Sequence, residues 1–317
     1  MLKRLLTYFI FTCCTLAYAQ YPEKPIKIIV PFPAGDGLDI QARMIGQKLS
    51  ETLGQQVLID NKPGAGTLIG VEAAAKSPAD GYTLVLVTTT YAINPSLRDK
   101  VPYDPLKDFT PLIQTTAVPL VVVANNNFAP NNFSEVMAMA KLKPGEISMG
   151  NSGLGTAAHI GMEMLNNFAG IKFNHVPYKG IPPALTDMIG GRLQLLCTSP
   201  AQVMGSIREG KIKPVFVTSA KRMAQLPQVP TVQESGVQGY DVNAWVGLMA
   251  PAGTPQAIIQ KLNREIAAII TSPEMKSRLS NDGSEVIASS PEAFAIHIRR
   301  ELEKWSTVIK SSGIKAE

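Results

Sequence analysis

Three histidines, His159, His175 and His297, are all the imidazoles in the chain. A serine hydrolase needs one of them near a nucleophile raised on a tight turn. Ser152 stands in Gly150-Asn-Ser-Gly-Leu154, which lacks the last glycine of G-x-S-x-G, and no histidine has a context that singles it out. No catalytic residue is expected. His159 and Glu163 are four apart, so a helix would carry both on one face, but such a pair without further ligands makes no metal centre. Gly153-Leu-Gly155-Thr-Ala-Ala158 has part of a dinucleotide fingerprint. The acidic residue that should close it about 20 residues later is replaced by Phe173-Asn174-His175. There is no Walker lysine either, so neither cofactor nor metal is expected. What remains is a glycine turn opening a helix, where free amides and the helix dipole favour an anion. Pro31-Phe-Pro-Ala-Gly-Asp-Gly37 is a second turn of that kind.

Each turn needs a strand before it and a helix after it. Apolar runs at 26–30, 56–60 and 83–88 alternate with helical patterns at 38–53 and 67–76. In the first helix Ile40, Ala42, Ile45, Leu49 and Leu53 form the apolar stripe, and Asp39 pairs with Arg43. Further strands are expected at 120–124, 147–150, 172–177, 193–197, 214–218 and 242–250. Helices are expected at 134–141, 156–168, 183–189, 200–209, 254–270 and 291–311, the last with an apolar face of Ala293, Ile296, Leu302, Trp305 and Ile309. Strand, turn and helix in succession argue for an α/β fold with mostly parallel sheet. The repeated glycine turn suggests two similar domains around one cleft, residues 20–123 with 246–317 and residues 124–245. Tyr178, bracketed by Pro177 and Gly180, is expected in that cleft; Trp245 suits cleft and core equally.

The chain has 317 residues, 45% hydrophobic and 17% charged, enough for a sizeable core. The net charge of +5 is scattered, with no basic block, which gives nucleic-acid binding no support. Residues 1–19 combine Lys3 and Arg4, an apolar run and Ala17-Tyr-Ala19, the pattern of a cleaved secretory signal. Cleavage leaves one cysteine, Cys197, which allows no internal disulfide.

Many short segments together resemble the Bug-type extracytoplasmic solute receptors of tripartite tricarboxylate transporters. They are Pro31-Phe-Pro-Ala-Gly35 with Asp39 and Ala42-Arg43; Asn61-Lys-Pro-Gly-Ala-Gly66; Asp80-Gly-Tyr-Thr83; Asn94-Pro-Ser-Leu97; Val176-Pro-Tyr-Lys-Gly180 with Ala184-Leu-Thr-Asp187; Thr218-Ser-Ala-Lys-Arg222; Val229-Pro-Thr-Val232; Leu248-Met-Ala-Pro-Ala-Gly-Thr-Pro255; and Lys304-Trp305. The resemblance implies a two-domain periplasmic-binding-protein fold that closes on a carboxylate. It implies a periplasmic monomer that serves a membrane transporter. By position it implies ligand contacts from Phe32, Ala34, Asp36, Leu38, Thr89 and Tyr91 in the first domain. From the second it implies Ser152, Gly153, Gly155, Thr156, Tyr178 and Ser199. A ligand sensor for a membrane signalling protein and a periplasmic enzyme are the alternatives. Two departures stand out. Asp36 and Leu38 replace a glycine and a threonine, and Cys197-Thr198-Ser199 lacks the usual aspartate. An ionised Asp36 beside a bound carboxylate costs roughly 1–4 kcal/mol, so it either caps the helix or meets a hydroxyl, amine or protonated carboxyl. Leu38 adds apolar surface suited to an aromatic or otherwise partly apolar acid.

Overall fold

In the computed structural model, which describes residues 21–281 and 283–315, the apolar runs become the strands of two separate sheets. The expected signal segment lies outside the described residues. The chain begins with β1 (Ile26–Val30), α1 (Gly37–Leu53), β2 (Val57–Asn61), α2 (Leu68–Ala75), β3 (Thr83–Thr88), α3 (Thr89–Leu97) and β4 (Phe109–Pro119). It continues with β5 (Val121–Asn125), α4 (Phe133–Leu142), β6 (Ser148–Asn151), α5 (Ala157–Ala169), β7 (Asn174–Pro177), α6 (Ile181–Ile189), β8 (Leu195–Thr198), α7 (Met204–Arg208) and β9 (Ile212–Val217). It ends with β10 (Asn243–Pro251), α8 (Gln256–Thr271), α9 (Pro273–Asn281), β11 (Glu285–Val286) and α10 (Pro291–Ser312).

The first sheet has the order β11-β4-β10-β3-β1-β2 and the second β7-β6-β8-β5-β9. β1 runs parallel to β2 and β3, and β6 parallel to β7 and β8. Helical crossovers between parallel strands cover both sheet faces, which is why β3 and β5 read as unbroken apolar runs. The chain changes sheet at Leu120 and returns between Val217 and Asn243. The anticipated borders at 123/124 and 245/246 therefore fall inside β5 and β10. Among the described residues no helix is long and apolar enough to cross a membrane.

Three features depart from the periodicity. α3 forms despite Pro95, which has no N–H for the Tyr91 carbonyl. The Tyr103 hydroxyl donates to that carbonyl instead, at 3.1 Å. In α1, Ile40 is half-exposed while Asp39 and Gln41 are buried. In α10, Ile296 is half-exposed, and the buried face is Phe294, Ile298, Glu301, Trp305, Val308 and Ile309. Glu301 is tolerated there because its Oε2 accepts from the indoles of Trp245 (2.9 Å) and Trp305 (2.8 Å), while Lys304 pairs with Oε1. Trp245 is thus a core residue. α10 packs along both α3 and α5 and so ties the two sheets together.

Candidate ligand-binding site

The register Val30↔Asn61 and Ile29↔Val85 brings the C-terminal ends of β1, β2 and β3 to one edge. The loop 31–36 rises from that edge into α1. Its last residue, Asp36, is the N-cap, and its Oδ1 accepts from the Leu38 amide at 2.9 Å. Asp36 is exposed and acts as a helix cap, the first of its two expected roles. Asp39, three positions into the helix, is buried. Its Oδ2 accepts from the Gly35 amide (2.8 Å) and Arg43 Nε (2.9 Å), and its Oδ1 from Asn61 Nδ2 (2.9 Å). The Arg43 hydrogen bond leads in lowering the Asp39 pKa to about 2, helped by the Gly35 and Asn61 donors and opposed by burial. The carboxylate nearest this glycine turn is therefore the protein's own. Gly35 is not an open donor, and the Ala34 and Gly37 amides have no protein acceptor among the described residues. Phe32 and Leu38 are half-buried and Ala34 is exposed.

The second turn has the same plan. Thr156 is the N-cap of α5; its Oγ1 accepts from the His159 amide (3.3 Å) and donates to the Gly153 carbonyl (2.8 Å). The Gly155 amide donates to His159 Nδ1 at 3.2 Å. In both turns, then, the third helical side chain holds the amide of the residue before the cap, a variant of the capping box. Gly155 has φ +75°, and a Cβ there would lie 2.6 Å from Leu97 Cδ2, so the position requires glycine twice over. The Gly153 amide donates to Asn151 Oδ1 (3.0 Å), which leaves Asn151 Nδ2 fully buried without a partner.

The register Asn151↔Pro177 and Gly150↔Leu196 aligns the ends of β6, β7 and β8. Ser152, Gly153, Tyr178 and Ser199 therefore emerge along one edge. The Tyr178 hydroxyl donates to Asp187 Oδ2 at 3.0 Å, and Arg192 holds the other oxygen at 2.6 Å. Thr89 is buried at the start of α3, its Oγ1 accepting from the Trp245 amide at 3.0 Å. Tyr91 points into the core: it stacks on Tyr103 and donates to the Pro105 carbonyl at 2.8 Å.

The two turns are connected only in relay, through the 61–66 loop and α3. Asn61 Nδ2 bonds the Phe32 carbonyl (3.1 Å), Asn94 Nδ2 bonds the Gly66 carbonyl (2.8 Å), and Leu97 abuts Gly155. Thr67 Oγ1, on the same path, is buried without a partner. Sequence reasoning missed Asn151 and Thr67, because an unpaired buried polar atom is visible only once its surroundings are known. A groove of about 680 Å³ lined by Tyr21, Leu53, Gln55, Lys261 and Glu265 opens at the opposite end of α1, ~25 Å along the helix. It has none of these amides.

Two α/β units joined by two crossings, with glycine turns at the strand ends, define a two-domain solute-binding protein of the periplasmic type. The tripartite tricarboxylate transporter family receptor (TctC) model matches residues 41–314, and the chain belongs to that family. The periplasmic binding protein BugD is similar at 34% identity and TM-score 0.79, with 94% of this chain and 100% of that one covered. Rpa4515 of R. palustris, solved with adipate, matches at 34% identity and TM-score 0.82 over 93% of this chain and 99% of its own. MatC (Rpa3494) of Rhodopseudomonas palustris, solved with bound malate, matches at 30% and 0.78 over 91% and 100%. The family consists of solute receptors, and the protein is a receptor rather than an enzyme.

Proposed function

We propose that this receptor captures a small organic carboxylate between its two lobes in the periplasm and delivers it, as a monomer, to a tripartite tricarboxylate transporter. The lobes are residues 21–120 with 243–315 and residues 121–242. The observation that carries the reading is the donor set at the turns. Asn151 Nδ2, the Ala34 and Gly37 amides and the hydroxyls of Thr89, Ser152 and Ser199 lie at or beside strand ends. Such neutral donors suit a carboxylate held by dipoles. Phe32 and Leu38 favour a ligand with an aromatic ring or an aliphatic chain between two carboxyls. The adipate and malate complexes of relatives agree with that class.

A thermal-shift screen over aliphatic and aromatic mono-, di- and tricarboxylates tests this. A ligand at ~100 times its Kd adds ~2.7 kcal/mol of stability. Asn151→Asp keeps the acceptor for Gly153 and replaces the orphan donor by an acceptor. It should weaken the best ligand by more than about tenfold, the scale of a lost buried hydrogen bond. Failure of every carboxylate to shift the protein, or unchanged affinity in the variant, would overturn the assignment.

A further inference from the structure

Behind the second turn, three metal-ligating side chains converge. His159 and Glu163 share one face of α5, and His175 reaches across from the edge strand β7. One ligating atom of each lies within 4.8 Å of the other two. His175 Nε2 is 3.2 Å from Glu163 Oε1. The two imidazole rings are 5.0 Å apart at 82°, a spacing compatible with two nitrogens ~2.1 Å from a shared ion. An outer layer is already built. Asn166 Nδ2 donates to Glu163 Oε2 at 3.0 Å, and Asn166 Oδ1 is itself held by the Phe173 amide at 3.2 Å. His175 Nδ1 is buried without a partner. The Glu163 side chain is 20% exposed, which gives an ion a route in.

We propose that His159, Glu163 and His175 bind a divalent transition-metal ion of the zinc class behind the second ligand turn. Two imidazoles and one carboxylate are a recurrent donor set for such an ion, with water in the fourth position. Ligation exchanges hydrogen bonds for metal bonds at both imidazoles. The Gly155 amide on His159 Nδ1 leaves the ring proton on Nε2. To reach the ion, the ring must move that proton to Nδ1 or turn over, and either change releases the Gly155 amide. His175, ligating through Nε2, carries its own ring proton on Nδ1, so the Gly155 hydrogen bond and the Nε2 contacts to Glu163 and Asn166 are given up for two metal–nitrogen bonds and one metal–oxygen bond.

The test is a Zn²⁺ titration of the chelator-treated protein by calorimetry, with Co²⁺ absorption reporting coordination geometry. One ion should bind per chain. Glu163→Gln and His175→Ala should each weaken binding by more than about tenfold and abolish the tetrahedral Co²⁺ spectrum. His297→Asn, where the ring meets Trp245 edge-on and stacks on Phe294 outside the cluster, should bind as the wild type does. Metal-free circular dichroism checks folding, and the isosteric Glu163→Gln keeps the test open if His175→Ala unfolds. No binding at millimolar Zn²⁺, or binding that both variants leave unchanged, would refute the proposal.

Discussion

Asp39→Asn removes one charge from the buried junction that holds the first glycine turn. The wild-type carboxylate accepts from Gly35, Arg43 and Asn61. Asparagine offers one acceptor oxygen and turns an amide toward the remaining donors. The fall of the Asp39 pKa from 3.8 to about 2 corresponds to about 2 kcal/mol of stability above pH 5. Because the folded pKa lies below the unfolded one, that contribution is present above pH 3.8 and lost as the pH falls through 2. Roughly half of it remains at pH 3. Arg43 is half-exposed, so solvent screens part of the pairing and the figure is an upper one. Urea unfolding of both proteins at pH 7, 5, 3 and 2 reads this directly. The variant should be less stable by about 2 kcal/mol at pH 7, with the gap closing toward pH 2. Equal stability at pH 7, or a gap that ignores pH, would refute the assignment of Asp39 as the anion of this turn.

Two further outcomes follow from the same geometry. Gly155→Ala should cost about 1–2 kcal/mol for the left-handed backbone and roughly another 1 for displacing Leu97. In thermal melts, adding Leu97→Ala should fail to add its full penalty; strict additivity would mean that the two side chains do not meet. Glu301→Ala orphans the buried indole donors of Trp245 and Trp305 and should cost about 2–5 kcal/mol. Glu301→Gln, which keeps an acceptor for both, should lose much less, and equal losses in urea titrations would argue against that role.

The strand–turn–helix units at 26–53 and 147–169 were legible because they are local. Apolar period, a cap residue and glycines sit within a few turns of one another and need no distant partner. Assignment of the chain to a two-domain receptor rested likewise on short segments in order. Only the tertiary structure decided what those segments touch. α3 survives Pro95 because Tyr103 supplies the missing donor, and Glu301 belongs to a buried face because Trp245, 56 residues away, bonds it. The first turn proved to hold its own anion in Asp39, while Asn151 kept a donor free. His175 joined His159 and Glu163 only when β7 paired beside β6. In each case the deciding interaction is the satisfaction of a buried polar group, and its partner is chosen by packing rather than by nearness along the chain.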